Sequence, residues 1–390
     1  KVVGMLRGDM GTKVKVGVLR RDRPELIDFE ITRGSIPVYS VDVSYMITDS
    51  IGYIKVSRFG RNTYQEFLTA LARLKAYNCQ SLVVDLRGNS GGYLDIAISM
   101  TNEFLNKGDL IVYTEGKSSP RQDVFANGLG SCRDIRLTVL IDEFSASASE
   151  IFAGAIQDND RGLLVGRRSF GKGLVQQQIA LPDGSAIRLT VARYFTPSGR
   201  GIQKPYENGV EDYHLDILSR FEHGEFYEAD SIEFDKSLEF STVNGRRVFG
   251  GGGVMPDVFV PRDTTAFSDY YFEIRDKGVL YQYALKYADD NRIQLQRFET
   301  AEALKTHLDQ QALIEDMVRF AGSQGVEFNT NDFNRSKKLM EVELKAYIAR
   351  NILDNDGFYP IIGGIDEVLK MAIQEIQAGH DILEFSESEK

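Results

Sequence analysis

Three serines at alternate positions, Ser145, Ser147 and Ser149, and a glycine-flanked lysine, Lys172, are the residues of this chain best suited to covalent chemistry. The serines lie in Asp142-Glu143-Phe144-Ser145-Ala146-Ser147-Ala148-Ser149-Glu150, between an apolar strand, Leu137 to Ile141, and a helix carrying Ile151, Phe152, Ala155 and Ile156. A hydroxyl at a strand-to-helix turn stands where the first free amides of the helix and the positive end of its dipole point. Such amides can hold an oxyanion, one of the largest contributions to acyl transfer. The plainer account of this turn is a serine-rich helix cap, because serine is a favoured capping residue. The turn alone does not decide between the two.

The choice of base does more. A Ser-His-Asp arrangement needs a histidine, and the four present are His214, His223, His307 and His380, two in an acidic stretch and two in the C-terminal part. None falls in the strand-rich middle of the chain that holds the serines. The alternative base is a lysine whose ammonium form is disfavoured by burial. Lys172, between Gly171 and Gly173 and after Phe170, has the context for it. A lysine in a surface loop is the competing account. Gly166 to Lys172 also satisfies the first seven positions of a phosphate-binding P-loop. The eighth must be serine or threonine and is Gly173, and Leu174 to Ile179 reads as a strand where a P-loop needs a helix. The nucleotide reading fails on both counts. A third element, Asp85-Leu86-Arg87-Gly88-Asn89-Ser90-Gly91-Gly92, ends an apolar strand. Its paired glycines let backbone approach a ligand closely, and their amides can complete an oxyanion hole.

The elements that must position these groups alternate between strand and helix. Candidate strands are Val38 to Ile47, Gly52 to Val56, Ser81 to Leu86, Leu110 to Tyr113, Leu137 to Ile141, Gly162 to Val165 and Ala186 to Tyr194. A helix is predicted over Thr63 to Ala76, with Phe67, Leu71 and Leu74 on one face. Another, Tyr93 to Asn106, is apolar nearly all round and is expected to be buried. This alternation argues an α/β core. Before it, a helix end, a Gly-rich turn and two alternating strands (Val14, Val16, Val18; Ile27, Phe29, Ile31) make a piece too short to bury its own core. After it, residues 205–249 are acidic and aromatic with weak periodicity and read as an insertion or lid. Val254 to Val260 then returns the chain to a sheet. Beyond Arg262 the pattern is helical: Leu304, Leu308 and Leu313 to Phe320 read as one amphipathic stretch, with others over Leu339 to Ile352 and Ile365 to Ile376.

At 390 residues, length suggests about two or three domains, and an apolar share of 42% suffices for a large core. A net charge of −11 without a basic block argues against nucleic acid and anionic membranes as partners. No apolar run reaches the length of a membrane span. The chain opens on Lys-Val-Val-Gly-Met-Leu, which reads as the middle of a domain, so any targeting segment is expected outside it. Cys79 and Cys132 fit neither a metal cage nor a disulfide framework and do not fix the compartment.

Together the three motifs resemble the C-terminal processing peptidases, or tail-specific proteases. That family's pattern is Asp-Leu-Arg-x-Asn-x-Gly-Gly, then Ser-Ala-Ser-Ala-Ser-Glu-Ile, then Phe-Gly-Lys-Gly-x-Val-Gln, and all three occur here in that order. The resemblance implies a serine endopeptidase acting near the C-termini of proteins, with Ser147 as nucleophile, Lys172 as base and Gln176 in support. It implies an oxyanion hole from Ala148 and one of Gly91 and Gly92, structural roles for Glu150 and Asp158, and no metal or organic cofactor. Protein or peptide substrates are the implied partners, and whether the chain works as a homo-oligomer stays open. The implied fold is α/β: a crotonase-like β-α spiral protease core over 34–262, including the acidic insertion 205–249. It is preceded by the C-terminal part of a PDZ domain over 1–33 and followed by a helical domain over 263–390. The implied location is periplasmic or exported. A catalytically latent peptide-binding scaffold of the same fold is the alternative. In a straight strand Lys172 and Gln176 lie about 13 Å apart, so contact between them requires a bend, for which Gly171 and Gly173 are the expected sites.

Overall fold

The computed structural model describes residues 2–20, 23–206, 209–232 and 235–379. The chain divides between Tyr39 and Ser40 into two compact units. In the first, a short helix, Val2–Leu6, precedes an antiparallel hairpin of Lys13–Arg20 and Arg23–Thr32. Val14, Val16 and Val18 face Ile31, Phe29 and Ile27 across it, as the alternation predicts.

The second unit is organised by a six-stranded sheet. From one edge its order is Val258–Phe259, Leu163–Gly166, Arg136–Ile141, Ser81–Asp85, Ile51–Val56 and Val41–Met46. All neighbours are parallel except the last pair. Successive residues of a strand point to opposite faces, and here both faces are covered. Leu82, Val84, Leu137, Val139 and Ile141 pack with helices Thr63–Ala76, Leu94–Asn102 and Ala148–Asp158. Val83, Leu140 and Val165 pack with Val368, Leu369 and Ala372 of the last described helix, Glu367–Ala378. Two-sided burial explains why these strands read as near-continuous apolar runs.

A second, antiparallel sheet has the order Leu174–Ala180, Ala186–Phe195, Leu110–Gly116, Ser119–Phe125. Residues 269–362 carry a separate apolar cluster, with Tyr271, Ile274, Ala284, Leu304, Met317 and Leu344 at its centre. Among the described residues no helix is long and apolar enough to cross a membrane.

Several expectations change. The helix predicted over Tyr93 to Asn106 spans only Leu94–Asn102, and it is buried on one side alone, at Ala97, Met100 and Thr101, with Asp95 exposed. The stretch from Leu304 to Phe320 is two helices, Ala301–Leu308 and Leu313–Ser323, because Ala312 between them is non-helical. The acidic insertion contains a helix, Val210–Glu222, and the region beyond Arg262 begins with two helices, Asp269–Asp276 and Val279–Asp290, that periodicity did not single out.

Candidate active site

Ser147 is the residue before the helix Ala148–Asp158, and its backbone is unusual: φ 58°, ψ −113°. A non-glycine residue in that region is strained and persists only when its surroundings over-determine it. They do so here. The Ser147 amide donates to Glu150 Oε2 at 2.7 Å, and the preceding Ala146 amide donates to the Asn89 carbonyl at 3.0 Å. The flanking serines are occupied. Ser145 Oγ donates to the Leu86 carbonyl at 2.9 Å and Ser149 Oγ to the Asn89 carbonyl at 2.8 Å, and both residues are fully buried. Of the three serines only Ser147 retains surface exposure.

Asn89 stitches the glycine loop to this turn. Its Nδ2 donates to the Val56 carbonyl and its Oδ1 accepts from the Gly91 amide, each at 2.9 Å. Gly91 has φ +100°, and a Cβ there would sit 2.7 Å from Ser147 Cβ; one on Gly92 would sit 2.1 Å from the Phe59 carbonyl oxygen. No larger residue fits either place. The Gly91 amide is engaged by Asn89, whereas the amides of Gly92 and Ala148 meet no acceptor among the described residues. Two unengaged amides beside a strained serine are donors available to an oxyanion.

Lys172 enters through the same carboxylate. Glu150, fully buried, accepts from four donors: the amides of Ser147 and Lys172 on Oε2 (2.7 and 2.8 Å), and the Gly171 amide and Ser169 hydroxyl on Oε1 (both 2.6 Å). Burial pushes its carboxyl above the ordinary range, and the four donors work against that shift. The backbones of Ser147 and Lys172, 25 residues apart in sequence, therefore meet across a single oxygen atom. Lys172 is half-buried. The insertion helix covers the loop leading to it: Arg220 donates to the carbonyls of Arg168 and Ser169 (2.9 and 3.1 Å). Lys204 Nζ lies over the rings of Phe170 and Tyr213 and pairs with Asp216 at 2.9 Å. A strand, Leu174–Ala180, follows Lys172, as the sequence predicts and as a P-loop forbids.

Gln176 is exposed on that strand, and no hydrogen bond joins its side chain to Lys172 among the described residues. The chain does bend: Gly171 has φ +88°, and the pairing register slips between Val175 and Gln176. Asp158 pairs with Arg200 at 2.7 Å with both side chains fully buried, and accepts from the Ser198 hydroxyl. Of the histidines, His223 ends the insertion helix with Ser219 and His307 stacks on Phe298. Neither reaches the serine turn; His380 lies outside the described residues.

Two features escaped sequence reasoning. Asn89 lies inside a recognised motif, but only its buried position shows that it ties two loops together. Arg87 grips Asp85 and, across 279 residues, Asp366. Burial works against the charge of Asp85, yet Arg87 and Lys55 hold its carboxyl well below the usual range.

Residues 50–213 match the model of peptidase family S41, and residues 270–354 match a family of unknown function, DUF8443. A carboxy-terminal-processing protease of Bartonella bacilliformis is 40% identical over 208 residues, covering 52% of this chain and 47% of that protein. A carboxyl-terminal-processing protease of Synechocystis sp. is 38% identical over 202 residues, 51% of this chain and 47% of that protein. The chain spans about half the length of the curated relatives it matches. Among solved structures, a photosystem II D1 C-terminal processing protease aligns with TM-score 0.43 and 24% identity, covering 66% of this chain and 58% of that one.

Proposed function

We propose, from the match of residues 50–213 to the model of peptidase family S41, that this chain is a serine endopeptidase cutting protein substrates near their C-termini through a Ser147–Lys172 dyad. In this reading Lys172 is the base that takes the proton of the Ser147 hydroxyl as its oxygen attacks the peptide carbonyl. The amides of Ala148 and Gly92 hold the oxyanion, Lys172 passes the proton to the leaving amine, and water then hydrolyses the acyl-enzyme. Gly92 is preferred to Gly91 because the Gly91 amide is already bonded. The spiral protease core over 34–262, the partial PDZ piece over 1–33, the helical domain from 263 and a periplasmic or exported location belong to the same proposal.

The observation that carries it is the shared Glu150 oxygen, which accepts the amides of both dyad residues. A capping box accounts for the Ser147 amide on Glu150, but neither it nor a surface-loop lysine gives a reason for the Lys172 amide on the same oxygen. Gln176 takes its supporting role only if its side chain turns toward Lys172, so it is the least supported member of the site. The test is digestion of casein by the chain beside Ser147→Ala and Lys172→Ala. Cleavage by the parent with both variants silent supports the dyad, and cleavage by either variant at the parent's rate removes it.

A further inference from the structure

Asp366 caps the helix Glu367–Ala378, its Oδ1 accepting from the Leu369 amide at 3.1 Å. The same carboxylate also forks onto Arg87: Nη1 to Oδ1 at 2.8 Å and Nη2 to Oδ2 at 2.6 Å. Arg87 holds a second carboxylate at the root of its own loop, Asp85, with Nη2 on Oδ2 at 2.6 Å and Nε within 3.1 Å of both oxygens. Asp85 has other cationic support, from Lys55 at 3.0 Å, and accepts the Tyr53 hydroxyl at 2.7 Å. Asp366 is the second carboxylate that balances the two cations, Arg87 and Lys55, gathered at the strand end. It also contributes orientation: a two-point fork fixes the plane of a guanidinium, and Arg87 is the residue from which the chain turns into Gly88–Gly92.

The fork lies in the wall of a cavity of about 290 Å³, lined also by Tyr45, Tyr359 and Ile362. If the Asp366 carboxylate is lost, Arg87 keeps Asp85 and the Gly88 amide keeps Asp142 Oδ1 at 2.9 Å, so what disappears is the second point that fixes the guanidinium plane. Helix Glu367–Ala378 is anchored independently, by Val368, Leu369 and Ala372 against the sheet. Asp366 thus stands on a rigid support, outside both segments matched by family models, and reaches the loop that carries the unengaged Gly92 amide.

We propose that Asp366 is a positioning residue for the oxyanion site. By holding Arg87 it fixes the Gly88–Gly92 loop against the Ser147 turn, so the C-terminal helix sets how well the donors are aligned. The proposal rests on the Ser147 reading for its catalytic consequence and not for the mechanical one.

The experiment uses the full chain with Asp366→Asn. Asparagine caps helices as well as aspartate does, so the helix keeps its start while the charged fork is lost. Hydrogen exchange of the bonded loop amides, those of Gly88, Asn89 and Gly91, is expected to speed up about tenfold, with the amides of 370–378 unchanged. kcat on a casein-derived peptide is expected to fall about tenfold with KM within about twofold, the pattern of a loss confined to the transition state. Asp366→Glu, which can remake the fork, is expected to recover part of both effects. Arg87→Lys, which keeps a charge beside Asp85 but cannot fork, should reproduce the Asp366→Asn pattern and serves if that variant loses its helix. Unchanged exchange over 88–92, or a loss carried by KM, overturns the proposal. If loop exchange quickens but the parent cleaves nothing, the coupling stands and the Ser147 reading is what has failed.

Discussion

The two sides of the candidate site are built differently. The side chains that hold Ser147, namely Ser145, Ser149, Asn89 and Glu150, are all fully buried and hydrogen-bonded. Beyond Lys172 the chain runs into a hairpin whose outer half is exposed, with Ile187 and Leu189 each 51% accessible. Ser147 is thus locked in a strained conformation by its own surroundings, while Lys172 is held at its amide by Glu150, and the insertion helix grips the loop that leads to it. Rigidity is concentrated where a strained backbone has to be maintained. Substitutions should therefore act steeply on one side and weakly on the other.

The steepest effect is expected at the joint. Glu150→Gln puts an amide NH2 against a shell made only of donors, so about half of them lose their acceptor. Breaking a buried charged network of this kind costs about 3–5 kcal/mol. Denaturant unfolding should show that loss, and casein cleavage should disappear with it; a variant that keeps both would mean the carboxylate does not join the two sides. An intermediate effect is expected from acid. Because the folded-state pKa of Asp85 lies below its ordinary 3.8, its contribution is fully present above that value and drains away as pH falls below it. Thermal melting from pH 5 down to pH 2 should therefore show an acid-linked loss that is smaller in Asp85→Asn, whose baseline stability is lower. Identical pH profiles for the two would contradict the assignment. The smallest effect is expected on the open side, where Leu189→Ser should change stability by less than about 0.5 kcal/mol. A loss several times larger would show that the hairpin is packed rather than free.

How much of this was legible in the sequence varies with the range of the interaction. The helix Thr63–Ala76 matches its period-based limits, because Phe67, Leu71 and Leu74 form a continuous buried stripe. The serine turn and the lysine were legible as local motifs. Which of the three serines stays available came from the family resemblance and not from the residues themselves, because it depends on the carbonyls of Leu86 and Asn89, which belong to another loop. The Arg87–Asp366 fork spans 279 residues and leaves no local pattern at either end. The insertion helix was missed for a related reason: Leu215, Leu218 and Phe221 are exposed, so its apolar residues do not mark a core-facing stripe.

In the proposed reaction Ser147 carries the acyl group and Lys172 activates it. The most direct measurement is mass spectrometry of the chain acid-quenched within seconds of mixing with a peptide p-nitrophenyl ester, beside Lys172→Ala. An acyl adduct is expected on the peptide containing Ser147 in the parent, and its near absence in the variant over the same time. An adduct on Ser145 or Ser149, or one formed at equal rate without Lys172, would contradict it.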